Sequence, residues 1–397
     1  MMTADADLKI INARIITPGG IIDNSVLTVR DGKITGIGAG GADTPAKTTL
    51  DAGGKYLSPG FIDIHVHGGG GYDFMDNSIE AYLGIARLHA RYGTTAFTPT
   101  TLSCEQESLL KTLELYEQAE PLNTDGARFL GMHIEGPYFS MEQRGAQDPR
   151  FIREPDEAEY KEILQKSAVV KRWSAAPELK GAIAFGSYMR SQGILPSIAH
   201  TNAIYEDVAE AYENGYTHIT HFYSCMSGVS RRNAYRYAGV VEAGYLIDDM
   251  TVEIIADGRH LPPALLKLVY KIKGPDKIAL ITDAMRAAGM PPGESVLGRL
   301  DDGLKVIVED GVAKLPDRSA FAGSVATTIQ LVKNMITLAD VPVIDAVKMM
   351  TATPAKIMKV SDRMGSIAVG KLADLVIFDD DINLHTTIIG GKVVYSV

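Results

Sequence analysis

The feature that most restricts the fold of this chain is an alternation between two hydrophobic periods. Short β-rich runs recur through its middle: "FIDIHVH", "TTAFTPT", "RFLGMHIEG", "RWSAAPE", "LPSIAHT", "HITHFYS", "TVEIIADG" and "KIALITDAM". Between them lie longer stretches such as "SIEAYLGIARLHARYG" and "IYEDVAEAYENGY", whose apolar residues fall at helical spacing. Eight strand–helix units in succession point to a (β/α)8 barrel, which needs about 250 residues before insertions. The rival is an open doubly wound sheet, which normally opens on a glycine-rich turn leading into a helix. "HGGGGYDF" is glycine-rich but precedes no clear helical pattern, so it does not match that fingerprint.

The two ends read differently. "LKIINARIITPGGIIDNSVLTVRDGKITGIG" and "GSIAVGKLADLVIFDDDINLHTTIIGGKVVYSV" alternate β-branched runs with turn signals and carry no helical period. Neither is long enough to bury a core alone, so residues 1–58 and 362–397 are expected to pair into one small β-sandwich. The barrel then takes 59–361. A β-hairpin insertion is expected at about 302–324, where "EDGV" marks the turn.

Composition removes several function classes. The net charge is -10, against the basic surface that a nucleic-acid binder needs. No apolar run approaches bilayer-spanning length, and "MMTADADLKI" lacks the basic start and apolar core of a secretion signal. The two cysteines, Cys104 and Cys225, lie too far apart in sequence to suggest a disulfide framework, so a cytoplasmic home is expected.

In a barrel of this kind the chemistry sits at the C-terminal ends of the strands. The first expected strand ends in His65 and His67, which project to one face because strand residues two apart do so. The third ends in Glu135, the fifth in His200, and the sixth carries His221. His260 follows the seventh, and Asp283 ends the eighth. Each has an ordinary reading: Asp283 could cap the next helix, Glu135 could accept in a turn, and His200 could belong to a capping turn. Together they converge on one mouth. Imidazole and carboxylate without thiolate suit zinc, iron or a similar divalent ion, so a centre of one or two ions is expected. Such an ion supplies a hydroxide nucleophile near neutral pH. Asp283 is the candidate proton shuttle, and His260 the candidate group to polarise a carbonyl. These parts describe amide hydrolysis. His133 is expected deeper in the barrel, His218 to face away from the site, and His89 and His385 to be ordinary surface or helix residues.

With "PGFIDIHVHGG", "GMHIEGPYFS", "AHTNA", "THITH", "IIADGRH", "LITDAMRAAG" and "AGS" in order, the chain resembles the amidohydrolase superfamily, and within it the N-acetylglucosamine-6-phosphate deacetylases. The resemblance implies that Glu135, His200 and His221 hold the main metal, the glutamate standing where many relatives use a carboxylated lysine. It implies that His65 and His67 hold a second ion, that Asp283 is general base and acid, and that His260 contacts the substrate near the scissile amide. It also implies a homodimer in which Arg232 reaches the phosphate of a neighbouring subunit's substrate.

The chain departs from the family pattern after the sixth strand. Ser224 and Cys225 stand where the family has Asn-Ala, and Asn233-Ala234-Tyr235 follow Arg232 where it has Glu-Pro-Gly. A serine hydroxyl can still donate to phosphate, with shorter reach and fewer donors than an amide. The expected substrate is therefore N-acetyl-D-glucosamine 6-phosphate, with two alternatives. One is another N-acyl amino sugar, such as N-acetylgalactosamine 6-phosphate or a non-phosphorylated one. The other is a barrel that only binds an amino sugar.

Overall fold

The computed structural model describes residues 5–38, 41 and 43–397. Its centre is a closed ring of eight parallel strands: β1 (Phe61–Val66), β2 (Thr94–Pro99), β3 (Met132–Glu135), β4 (Val170–Ala175), β5 (Leu195–Ile198), β6 (His218–Ile219), β7 (Thr251–Ile254) and β8 (Ile278–Leu280). Pairing runs continuously from β3 to β8 and joins β1 to β2. Two bridges close the ring, Thr100 with His133 and Val66 with Ala284. Between β2 and β3 the short strand Arg128–Phe129 pairs with β2 before the chain kinks at Gly131, whose φ is 96°.

Helices follow the strands because the connecting segments carry one apolar face, and some also carry a capping side chain at the start. Ser78 accepts a hydrogen bond from the Ala81 amide at 3.1 Å, capping the helix Ile79–Ala90. That helix buries Ala81, Tyr82, Ile85, Ala86, His89 and Ala90, a stripe at helical spacing. Tyr82 packs against Phe74, Tyr116 and Phe129 in the main core. Burial of a large apolar side chain of this kind contributes about 1.5–3 kcal/mol, so Tyr82→Ala would loosen this face of the barrel.

The chain ends meet in one branched eight-stranded sheet. Ala6–Thr17 is its spine. It pairs with Ala46–Asp51 along its first half and with Tyr56–Pro59 along its second. The switch falls at a register irregularity containing Asn12, whose φ is 55°. Tyr56–Pro59 in turn pairs with Leu375–Phe378 from the C-terminal end. This sheet has its own apolar cluster, including Leu8, Ile10, Ile15, Leu27, Leu57, Leu375 and Ile388. It is fastened to the barrel by Arg128, which donates to Asp374 at 3.0 Å.

The insertion after β8 is larger than a hairpin. The turn at Asp310–Gly311 joins Leu304–Glu309 to Val312–Lys314, and Gly293–Leu297 and Phe321–Ser324 extend the pair to four antiparallel strands. Its last strand returns Phe321 and Gly323 to the barrel mouth. Among the described residues, no helix is long and apolar enough to cross a membrane.

Candidate metal centre

The C-terminal mouth of the barrel gathers His65, His67, Glu135, His200, His221 and Asp283. Two three-residue groups share Glu135: one with His65 and His67, the other with His200 and His221. Glu135 Oε1 lies 3.0 Å from His221 Nε2 and 3.5 Å from both His200 Nε2 and His65 Nε2. Glu135 Oε2 lies 3.4 Å from His67 Nε2. Asp283 Oδ1 stands 3.2 Å from His67 Nε2 and 3.5 Å from His65 Nε2.

Strand alternation alone aims only part of this set. His65 points inward as strand parity requires. His200, His221 and Asp283 instead sit just past their strands with φ of 46°, 27° and 50°. Left-handed backbone costs a non-glycine residue about 1–3 kcal/mol. Here it turns the side chain one residue out of parity with the strand behind it and into the mouth. Neighbouring hydrogen bonds hold the turns: the Thr201 amide donates to Cys225 O at 3.0 Å, and the Ser324 amide to Asp283 O at 2.7 Å. The same shift explains why His218 does not face away. β6 ends at Ile219, so counting back from His221 misassigns its face; His218 Nε2 lies 3.2 Å from Glu253 Oε1 inside the barrel.

The donor chemistry fits a cation. His200 Nδ1 lies 2.8 Å from the Gln143 carbonyl oxygen, which can only accept, so that nitrogen carries the proton. His65 Nδ1 lies 3.3 Å from Glu253 Oε2 and donates likewise. In the neutral rings both Nε2 atoms are therefore lone pairs. Yet His200 Nε2 faces His221 Nε2 at 3.2 Å, and His65 Nε2 faces His67 Nε2 at 3.2 Å. Donor atoms at this spacing suit one ion about 2.0–2.2 Å from each. The charges agree. Burial opposes ionisation of Glu135, but the imidazoles of His65, His200, His221 and His67 hold its carboxyl well below the usual range. Burial likewise opposes ionisation of Asp283, and His65 and His67 bring it below its ordinary value. Burial disfavours charge on His67, while Asp283 and Glu135 push its pKa up to about 10. Both carboxylates are thus held ionised among the imidazoles.

Four supporting residues were not legible as site residues. Gln147 donates to Glu135 Oε2 at 2.7 Å and accepts from the Ser103 amide at 2.8 Å. Asp257 Oδ2 accepts from His260 Nδ1 at 2.7 Å, leaving the other ring nitrogen of His260 free to meet a ligand. Arg172 and Glu253 form a fully buried ion pair beneath the donors. Charged residues inside apolar strand runs, in "RWSAA" and "TVEII", were the available signal for that pair. "ADGRH" hinted at Asp257 through its turn spacing, and nothing in the loop sequence marked Gln147. His133 is deep as expected, bonded to Ser174 Oγ at 2.7 Å. His89 is a buried helix residue whose Nε2 lies 2.9 Å from Gly68 O, and His385 pairs with Asp379 at 3.0 Å.

A cavity of ≈330 Å³ opens over the donors, lined also by Tyr223, Ser224, Cys225, His260, Leu297 and Phe321. Ser224 and Cys225 thus border the same space as the metal-type donors. Room for Cys225 depends on Gly145, where an added Cβ would lie 2.5 Å from its Sγ. The Phe321 ring packs on His260 with centroids 4.6 Å apart. Arg232 is not in this cavity. It lies exposed on the hairpin that pairs Ser230–Arg232 with Tyr235–Tyr237, its guanidinium 5.5 Å from the Tyr237 ring centroid.

Comparison with known proteins agrees with this geometry. Residues 56–394 match the amidohydrolase family. An N-acetylglucosamine-6-phosphate deacetylase of Lysinibacillus sphaericus is 34% identical, covering 97% of each chain. An N-acetylgalactosamine-6-phosphate deacetylase of Escherichia coli O157:H7 is 32% identical, covering 96% of this chain and 97% of its own. The crystal structure of N-acetylglucosamine-6-phosphate deacetylase from Pasteurella multocida superposes with a TM-score of 0.90 at 29% identity, covering 98% of this chain and all of that one. With a match over most of its length and a glutamate-centred histidine cluster at the barrel mouth, this chain belongs to the amidohydrolase family.

Proposed function

We propose that this chain hydrolyses the acetamide of N-acetyl-D-glucosamine 6-phosphate, giving glucosamine 6-phosphate and acetate. The observation that carries this reading is the convergence of His67, Glu135, His200, His221, Asp283 and His260 on one cavity, with His65 behind them in the same cluster. Its volume of ≈330 Å³ suits a monosaccharide. Deacetylases of this kind are similar over nearly the whole chain.

Glu135, His200 and His221 would hold one divalent ion, zinc or iron by ligand type, and His65 and His67 with Glu135 a second. When bound, a divalent cation here lowers the pKa of water toward 7 and polarises the amide carbonyl. The chain's own groups do the rest. Asp283 is ionised and stands at the donors, so it takes the attacking water's proton and returns it to the leaving amine. Asp257 fixes the ring of His260, so that its outer nitrogen meets the carbonyl oxygen as negative charge grows there. Ser224 and Cys225 border the sugar. Arg232, exposed on its hairpin, serves the phosphate of a partner subunit's substrate in a homodimer. A cytoplasmic location fits two cysteines that are both free.

A second reading keeps the chemistry and changes the sugar to N-acetylgalactosamine 6-phosphate. It is favoured by the relative of that name and by Ser224–Cys225 at the cavity wall. An acetate-release screen of metal-loaded protein over both sugars, with and without 6-phosphate, separates them. The expected result is the fastest release from N-acetylglucosamine 6-phosphate. Equal rates on phosphorylated and plain sugars would remove the phosphate clamp, and no release from any would leave only a binding protein.

A further inference from the structure

A (β/α)8 barrel interior is usually packed with branched aliphatic side chains. Beneath the two donor groups this one holds charge instead. Arg172 on β4 and Glu253 on β7 are both 0% exposed and ion-paired. Their remaining bonds go to the segments that carry the donors. Glu253 Oε2 accepts from His65 Nδ1 at 3.3 Å and from the His221 amide at 3.2 Å. Arg172 donates to the carbonyl of Ile64, just before His65, at 3.1 Å, and to Thr220 Oγ1, just before His221, at 2.7 Å. It also reaches Ser197 Oγ on β5 at 3.0 Å. One buried pair therefore touches both halves of the centre.

We propose that Glu253 is a positioning residue that fixes the ring of His65 and ties the two donor groups together, with Arg172 as the counter-charge that keeps it in place. The proposal rests on the metal-centre reading above. Its logic is tautomeric. A carboxylate can only accept, so Glu253 holds the proton of His65 on Nδ1 and presents Nε2 to a cation. The same oxygen anchors the His221 backbone, so the pair sets the separation of the two groups as well as one ring.

Glu253→Gln alone leaves Arg172 buried without its counter-charge, so the test uses paired variants. Arg172→Met/Glu253→Met removes both charges and the acceptor. Arg172→Met/Glu253→Gln restores an acceptor for His65 without charge. Zinc affinity is read by competition with a chelator on the folded proteins. The Met/Met variant is expected to lose about 10–100-fold in affinity, most for the ion held by His65 and His67, and the Met/Gln variant to recover most of it. Wild-type affinity in Met/Met would overturn the proposal while leaving the metal centre standing. A wild-type chain that takes up no zinc would overturn both. If neither variant folds, the zinc-loaded wild type decides through its histidine ring NMR spectrum. A slowly exchanging Nδ1–H that vanishes in His65→Gln is expected, and its absence overturns the proposal.

Discussion

The floor and the rim of the cavity differ first in burial. On the floor, His65, His67, Glu135, His200 and His221 are all buried, and strand ends or the tight turns just past them fix their positions. At the rim, Ser224 and Cys225 sit in a half-buried loop, which runs on to a short hairpin outside the cavity where Arg231, Arg232, Tyr235 and Arg236 lie exposed. The floor spends backbone strain at His200, His221 and Asp283, and a buried ion pair, to hold a few atoms within 3.0–3.5 Å of one another. The rim loop and hairpin have left-handed backbone as well, at Tyr223, Cys225, Asn233 and Ala234, but their arginines are exposed. On the proposed function, this difference in burial lets the rim vary with the sugar while the donors stay in place, with Cys225 coupling the two by accepting from the Thr201 amide.

This contrast predicts graded losses. Stripping the divalent ion with a chelator is expected to abolish acetate release, with recovery on adding zinc back. Asp283→Asn is expected to lower kcat by about 10²–10⁴-fold while the protein keeps its metal. A wild-type rate in that variant would take Asp283 out of the mechanism. His260→Asn is expected to cost about 10²–10³-fold in kcat. At the rim, Ser224→Ala removes one polar contact of about 0.5–1.5 kcal/mol, so KM is expected to rise about 2–10-fold with kcat unchanged. A fall in kcat there as large as that of His260→Asn would break the division between floor and rim.

Acid offers a further probe of the floor. Burial opposes ionisation of Glu253, yet Arg172, His218 and His65 hold it well below the usual glutamate range. A carboxylate depressed by folding stabilises the native state fully above its unfolded pKa, about 4.3, and loses that contribution as pH falls below it. Stability in urea is expected to drop below about pH 4 in the wild type and to drop less steeply in Arg172→Met/Glu253→Met. Equal slopes would mean that the pair carries no such linkage.

Much of the floor was legible in the sequence because strand ends are marked by composition. An imidazole or carboxylate after an apolar run stands out in "IDIHVH", "MHIEG", "SIAH", "HITH" and "LITDA". What the sequence hid was geometry that breaks the strand period. Parity placed His218 on the wrong face because left-handed backbone at His221 resets the count. Gln147 reaches Glu135 from a loop whose path no local pattern encodes. The expected hairpin rests on "EDGV", which signals only the central turn of the insertion. Its outer strands join through longer turns without a two-residue signal, Leu297 pairing with Leu304 and Lys314 with Phe321.

The central claim is that two donor groups share one carboxylate. If so, the donors are unequal: His65→Ala with His67→Ala should lose one group's ion and spare the other's, whereas Glu135 serves both. The direct measurement is metal content per chain in purified, folded Glu135→Gln by mass spectrometry of the released ions. The account predicts that this single change empties the centre. Wild-type metal content in Glu135→Gln would contradict it.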